Sequence, residues 1–241
     1  MSVNLCIDIG NSRVKMALFE KDAISQFVVF EGFRETDILQ WIGNIVFERG
    51  IYSSVLKSIP EWLLSISNKE NVIKLEAGLK IPLKINYKTP ETLGSDRIAA
   101  MVGAIALYPN SNLLIVNAGT CVTYDLVNKL YEFIGGNIAP GLDMRWKAMH
   151  EFTSSLPRVK EIDPNADLLG IDTLTALQNG GLQGIIFEIE GYFNNLINNY
   201  SNLICIITGG SAPFLVNHLK IGNFAEPYLV LKGLNSILNY Q

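Results

Sequence analysis

Apolar and polar positions alternate from the start of the chain. Val3, Leu5 and Ile7 stand against Asn4, Cys6 and Asp8, and Gly10-Asn11 breaks the run. Met16 to Phe19 is a second apolar run, so the opening reads as strand, tight turn, strand. Gln26 to Phe30 predicts a third strand. From Thr36 the period changes. Ile38, Leu39, Trp41, Ile42, Ile45, Val46 and Phe47 recur at helical spacing, with Thr36 as cap and Gly50 as stop. Ser53 to Leu56 predicts a short strand, Pro60 opens a helix, and Val72 to Leu75 predicts another strand. Strands and helices at this rhythm indicate an α/β sheet with a parallel part.

Residues 76–93 read as irregular, punctuated by Gly78, Pro82 and Pro90. Ile98 to Leu107 is a small-residue helix whose start carries Ser95 and Asp96, a position usual for caps and dipole partners. Leu113 to Val116 and Cys121 to Leu126 read as strands around Asn117-Ala118-Gly119-Thr120. Phe133 to Gly141 is a glycine-rich strand that enters a helix running from near Leu142 to about Phe152. Residues 158–171 read as a polar loop. An amphipathic helix follows from about Thr173 to Asn199, with Gly180, Gly181 and Gly184 in its first half. Glycines there suggest close approach of another backbone or a ligand. Leu203 to Ile207 predicts a strand into Thr208-Gly209-Gly210, then a helix from Pro213 to Leu219. A closing helix runs from Leu229 to Asn239.

Composition narrows the classes. Nearly half of the 241 residues are apolar, enough for a real core. The net charge of −4 argues against a nucleic-acid surface. No stretch approaches the roughly 20 apolar residues of a membrane span, and no signal peptide is evident. Cys6, Cys121 and Cys205 are far apart in apolar runs, which indicates buried free thiols in a reducing cytoplasm. His150 and His218 have no carboxylate or cysteine at ligand spacing and read as structural or surface residues. The absence of Gly-Lys-Ser/Thr excludes a P-loop kinase.

Candidate chemistry gathers at the glycine turns. After Asp8, the backbone N–H groups of residues 10 to 12 and the Ser12 hydroxyl suit phosphate oxygens. Asp8 repels phosphate but suits Mg²⁺ or its waters. A type I′ hairpin, for which Gly-Asn is a common choice, is the other reading of this turn. The Asn117 to Thr120 stretch repeats the pattern: an apolar strand, Asp or Asn, any residue, Gly, and a hydroxyl residue one or two places on. Two such hairpins suggest two related sheets facing a cleft, with the phosphate tail of a nucleotide between the turns. Thr208-Gly209-Gly210, ahead of a helix, suits a ring or sugar lying on backbone.

Together Asp8-Ile9-Gly10-Asn11-Ser12, Asn117-Ala118-Gly119-Thr120 and Thr208-Gly209-Gly210 resemble the two phosphate loops and the adenosine loop of the actin and sugar-kinase ATPase superfamily. Within it, Leu93-Gly94-Ser95-Asp96-Arg97 and Gly135-Gly136-Asn137-Ile138-Ala139-Pro140-Gly141 resemble type III pantothenate kinase. The order of motifs and the length match over essentially the whole chain. The resemblance implies an α/β fold of two ribonuclease-H-like subdomains, residues 1–110 and 111–241, with a nucleotide cleft between them. The last helix, 229–241, is placed to pack back on the first subdomain. By resemblance, Asp8, Gly10, Asn11, Ser12, Arg13, Lys15 and Thr120 hold ATP phosphates, Asp8 holds Mg²⁺ directly or through water, and Gly209 and Gly210 meet the adenosine. Tyr87, Gly94, Ser95, Asp96 and Arg97 hold pantothenate, and Asp96 is the proton acceptor. Thr173 matches a substrate-binding threonine at the interface of a homodimer. The family has Asp where this chain has Asn117, at a site for a monovalent cation, K⁺ or NH₄⁺. That departure puts the cation site in question.

The implied reaction is transfer of the γ-phosphoryl group of ATP to the primary hydroxyl of pantothenate, giving 4′-phosphopantothenate for coenzyme A biosynthesis. Asp96 at a helix N-terminus is expected to favour its ionised form. A non-catalytic nucleotide-binding accessory or regulatory homologue, and another small-molecule kinase of the same fold, are the alternatives. Pantothenate-dependent ADP production separates the three.

Overall fold

The alternation at the N-terminus folds as β1 (Val3–Ile9), which turns at once into β2 (Arg13–Glu20) and then β3 (Ala23–Glu31). The computed structural model describes residues 2–32, 34–58, 60–67, 71–161 and 168–241. There follow α1 (Glu35–Gly43), β4 (Arg49–Ser54), α2 (Glu61–Ser67), β5 (Val72–Lys74), β6 (Lys84–Ile85), a single 3₁₀ turn at Pro90–Thr92 and α3 (Ser95–Leu107). The second half runs β7 (Leu113–Ala118), β8 (Cys121–Val127), β9 (Glu132–Pro140), α4 (Leu142–Glu151), α5 (Thr173–Leu196), β10 (Ile204–Thr208), α6 (Ala212–Leu215), β11 (Asn223–Ala225) and α7 (Leu229–Tyr240). One unit comprises Met1–Asn110, Leu130–Ile134 and Tyr228–Gln241, and the other Ser111–Lys129 and Gly135–Pro227.

Each unit is built on a mixed sheet, and the two sheets repeat one plan. In the first, the strand order is β3-β2-β1-β4-β5, with β1 antiparallel to β2 and parallel to β4. In the second, β9-β8-β7-β10-β11 follows the same order, with β7 antiparallel to β8 and parallel to β10. The weak repeat of glycine turns in the sequence is thus a repeat of strand connections. The start of β9 belongs to the first unit, where Glu132 and Phe133 pair in parallel with Lys84 and Ile85 of β6.

In the first unit, Leu5, Ile7, Ile9, Val14 and Met16 pack with Ile38, Trp62 and Leu63 from α1 and α2. Helix α7 also packs on β1 and α3. Buried Asn4 donates from Nδ2 to Asn235 Oδ1 at 2.8 Å and to Asn239 Oδ1 at 2.9 Å, which pairs its amide nitrogen, while its own Oδ1 accepts no bond among the described residues. Gly233 and Gly103 let α7 and α3 touch backbone to backbone, and a Cβ at Gly233 would overlap the Ala99 carbonyl oxygen. The second core joins Leu114, Val116 and Tyr124 to Trp146, Leu182, Ile186 and Ile189 of α4 and α5.

Several expectations shift. Helix α1 ends at Gly43, because Asn44 turns its side chain back to the Gln40 carbonyl at 2.8 Å. Ile45 and Phe47 pack on the core outside any helix, and Gly50 lies inside β4 against Val72 rather than acting as a stop. Thr36 is a helical residue; Arg34 occupies the cap position without a side-chain bond. Strand β4 ends at Ser54, and α6 stops at Leu215, four residues short of expectation. Two of the α5 glycines make room for side chains of α4, Gly181 for Trp146 and Gly184 for Arg145, whereas a Cβ at Gly180 would meet nothing within 4 Å. Residues 162–167 of the expected polar loop lie outside the described residues.

Candidate active site

The β1–β2 register sets Asp8 opposite Lys15 and Ile9 opposite Val14. Gly10 N–H donates to the Arg13 carbonyl at 3.0 Å, leaving exposed Asn11 and Ser12 at the tip. The Gly10 N–H is therefore spent within the hairpin and does not join a phosphate cradle. Nor is the turn type I′, which needs positive φ at both central residues. Gly10, Asn11 and Ser12 all lack positive φ. Gly32 N–H donates to the Ser12 carbonyl at 3.0 Å and ties the tip to the end of β3. Arg13 meets Glu31 at 2.9 Å in an exposed pair.

Behind this tip lies a buried carboxylate. Asp8 is 8% exposed and accepts from Ser53 Oγ at 2.9 Å, across the parallel register of β1 and β4. Burial pushes its carboxyl up to about 6; Lys15 pulls down, Asp96 pushes up further, and the Ser53 bond pulls down. Asp96, half-buried in the first turn of α3, also titrates above the usual carboxylate range. Desolvation outweighs its backbone bonds from Arg97 and its own N–H and the nearby Arg97 charge. The helix start was expected to favour the ionised form; burial wins instead. Two carboxylates that raise the energy of charge in each other's neighbourhood suit a cation. Among the described residues no group of three or more His, Cys, Asp or Glu could hold a metal by itself. A metal here would have to take most of its ligands from phosphate and water, with Asp8 and Asp96 as the nearby carboxylates.

Around Asp96 the local sequence makes room. A Cβ at Gly94 would sit 2.6 Å from Asp96 Oδ1, so the glycine ahead of α3 clears the carboxylate. Ser95 Oγ lies 3.5 Å from the Ser54 carbonyl, at the limit of a hydrogen bond. Arg97, 5% exposed, places its guanidinium carbon 5.8 Å from the Phe133 ring centre. The Tyr87 ring lies 5.6 Å from the same ring. Phe133 thus gathers Tyr87 and Arg97, and it reaches them because β9 pairs with β6. Sequence reading passed over Ser53 and Phe133, since each is placed by a parallel register that no local pattern encodes.

The second unit carries its own turn. Gly119 N–H donates to the Cys121 carbonyl at 2.9 Å, with exposed Thr120 at the tip. Asn117, half-buried, stands opposite Thr123 in β8 and Thr208 in β10. Gly141, the N-cap residue of α4, donates to the Thr120 carbonyl at 3.0 Å, and a Cβ there would overlap the Gly119 carbonyl oxygen. Gly209 has φ +94°, and a Cβ there would overlap the Ala118 carbonyl oxygen, which also accepts from Ser211 N–H at 3.1 Å. Gly210 is exposed beside it. The last glycine of the Gly-Gly-x-Ile-x-Pro-Gly motif is thus a backbone clamp on the second turn. Thr173 is exposed at the start of α5, where Asp172 and Thr175 form a capping box.

Two sheets of one plan, each with a glycine turn between its antiparallel strands, define the actin-like and sugar-kinase ATPase fold. Solved structures with this fold include a Campylobacter jejuni protein assigned to the Baf family of transcriptional activators, with TM-score 0.64, 23% identity and 98% of both chains covered. Another is Lmo2764 from Listeria monocytogenes, assigned as an N-acetylmannosamine kinase, with TM-score 0.54, 14% identity and 99% of both chains covered. The chain belongs to the type III pantothenate kinase family, whose model matches residues 4–195. Type III pantothenate kinases of Bacteroides fragilis (strain YCH46) and Phocaeicola vulgatus are each 40% identical to it over 240 and 243 residues, covering 99% of this chain and 98% of theirs. That of Porphyromonas gingivalis (strain ATCC 33277) is 37% identical over 245 residues, covering 100% of this chain and 99% of its own.

Proposed function

We propose that the chain phosphorylates pantothenate with ATP, giving 4′-phosphopantothenate and ADP in the first step of coenzyme A biosynthesis. The observation that carries this reading is Asp96: a half-buried carboxylate of raised basicity, cleared by Gly94 and followed by Arg97 over an aromatic ring. The primary hydroxyl oxygen of pantothenate forms a bond to the γ-phosphorus as the bond from that phosphorus to the bridging oxygen of ADP breaks. The hydroxyl proton passes to Asp96. Phosphoryl transfer is loose, so positioning and charge stabilisation supply most of the acceleration. Asp96 orients the hydroxyl and accepts its proton late, and its raised pKa suits that task.

Arg97 attracts the pantothenate carboxylate, with Tyr87 and Ser95 beside it. In the first unit Asn11, Ser12, Arg13 and Lys15 meet phosphate, and Arg13 exchanges Glu31 for it. Asp8 would hold Mg²⁺, directly or through water, and the metal would neutralise charge on the phosphates. In the second unit Thr120 meets phosphate, and Gly209 and Gly210 leave bare backbone for the adenosine. Thr173 serves the pantothenate site of a second copy in a homodimer. Asn117 offers a carbonyl oxygen to K⁺ or NH₄⁺ without the charge of an Asp. On this reading the enzyme is cytoplasmic; among the described residues no helix is long and apolar enough to cross a membrane.

The test is ADP release by the purified chain with and without pantothenate. Release that depends on pantothenate is expected; release indifferent to it defeats the reading. Asn117 favours a second reading, a homologue that binds nucleotide without turnover. ATP binding with no phosphopantothenate formed would establish that one.

A further inference from the structure

We propose that Glu188 and Arg145 are positioning residues for the Gly119-Thr120 turn, acting through the first turn of α4. The inference rests on the reading of Thr120 as a phosphate contact. Arg145 projects from α4 and uses two edges of its guanidinium. Its Nε donates to the Pro140 carbonyl at 2.8 Å, just ahead of the helix. Its Nη2 reaches both carboxylate oxygens of Glu188 on α5, at 2.7 and 2.6 Å. Glu188 also accepts from the Tyr124 hydroxyl of β8 at 2.7 Å. Burial first, and Glu188 second, hold the Tyr124 hydroxyl protonated, so it remains a donor. One carboxylate thus joins α5, α4 and the strand that follows the turn.

The connection onward is through backbone. Arg145 N–H closes the helix on the Gly141 carbonyl at 2.9 Å, and Gly141 N–H holds the Thr120 carbonyl at 3.0 Å. The missing Cβ of Gly141 leaves no slack, since the Gly119 and Thr120 carbonyl oxygens fill that space. Any shift of the first turn of α4 is therefore passed to Thr120. The middle of the helix is anchored separately, by Trp146 Nε1 on the Leu177 carbonyl at 3.0 Å. Loss of the Arg145–Glu188 pair should therefore loosen the start of α4 and spare the fold. The guanidinium divides this work between two nitrogens fixed in one plane, whereas a lysine would have to serve the Pro140 carbonyl and both Glu188 oxygens from a single nitrogen on a flexible stem.

The experiment compares the natural protein with Glu188→Gln and Arg145→Lys. The glutamine keeps the size but sets an amide donor against the Tyr124 and Arg145 donors. Three quantities are read: Michaelis constants for ATP and pantothenate, affinity for a fluorescent ATP analogue, and melting temperature. We expect the ATP constants to rise about tenfold in both variants. The pantothenate constant should stay within about twofold and Tm within about 4 °C. Unchanged ATP affinity in an active variant overturns the inference and leaves the kinase reading intact. Equal rises in both Michaelis constants with a larger fall in Tm overturn it too, since they mark a structural role alone. A natural protein that binds ATP but forms no phosphopantothenate defeats the kinase reading, and the affinity of the analogue still decides the inference. A natural protein that binds no nucleotide overturns both.

Discussion

The two glycine turns occupy the same place in two sheets of the same plan, yet they are built by different physics. The first is charged and sterically open. Asp8, Arg13 and Lys15 surround it, and a Cβ at Gly10 would meet nothing nearer than the Arg13 carbonyl oxygen at 3.5 Å. The second has no charged residue between Asn117 and Thr120 and is sterically closed by Gly141 and Gly209. One turn is shaped by electrostatics, the other by backbone packing. The turn glycine itself is open in both, with nearest atoms at 3.5 Å for Gly10 and 3.8 Å for Gly119; the second turn is closed instead by glycines of neighbouring segments.

The largest expected effect breaks the charged side. Asp96→Asn should lower turnover about 10²- to 10⁴-fold with little change in Tm. A variant that keeps more than about a tenth of its turnover, measured as ADP release, makes Asp96 a structural residue only.

The closed side is probed by Gly209→Ala, which meets both an unfavourable φ and the Ala118 carbonyl. It should destabilise by about 3 kcal/mol, lowering Tm by roughly 6–12 °C. Gly119→Ala, with its nearest atom at 3.8 Å, should change stability by no more than about 0.5 kcal/mol. Equal losses in the two variants, read by thermal melts, would erase the contrast.

Asp8 sharpens the comparison through pH. Its folded carboxyl titrates near 6, above the ordinary value of 3.8. Below that ordinary value it is protonated both folded and unfolded, and it costs nothing. As pH rises towards 6 the unfolded chain loses this proton first, so stability falls, and above 6 the penalty levels off at about 3 kcal/mol. Asp8→Asn should therefore raise Tm at pH 7.5 and leave it nearly unchanged at pH 4. An equal shift at both values would show that charge burial is not the cause.

The smallest effect concerns the uncharged turn. Asn117→Asp should let K⁺ saturate activity at a concentration lower by about a few-fold. Equal activity of the natural protein with and without K⁺ or NH₄⁺ would mean that the asparagine has replaced the cation.

Much of this was legible in the residues. The hairpin at Asp8, helix α3 and the start of α5 at Thr173 follow from period and turn chemistry, which record what each segment buries. The likeness of the two turns anticipated the shared strand order. Other features depend on which distant backbone comes near. Ser53 reaches Asp8, and Phe133 reaches Tyr87 and Arg97, only through parallel registers. Gly141 reads locally as a helix start, and nothing beside it announces the carbonyls it clamps. The titration of Asp96 went against its helix position because burial depends on the whole unit, whereas the dipole is local.

The seating of α7 on α3 has a consequence for the order in which the protein is made. The helix that carries Asp96 emerges from the ribosome before residue 110, but the surface it packs against is not translated until residues 229–240. The unit that begins first is therefore completed last, after every residue of the other unit has been synthesised. During elongation α3 exposes the glycine face that α7 later covers. A nascent chain paused before residue 229 should hold a finished second unit and an unfinished first one, and chaperones would meet the enzyme in that state.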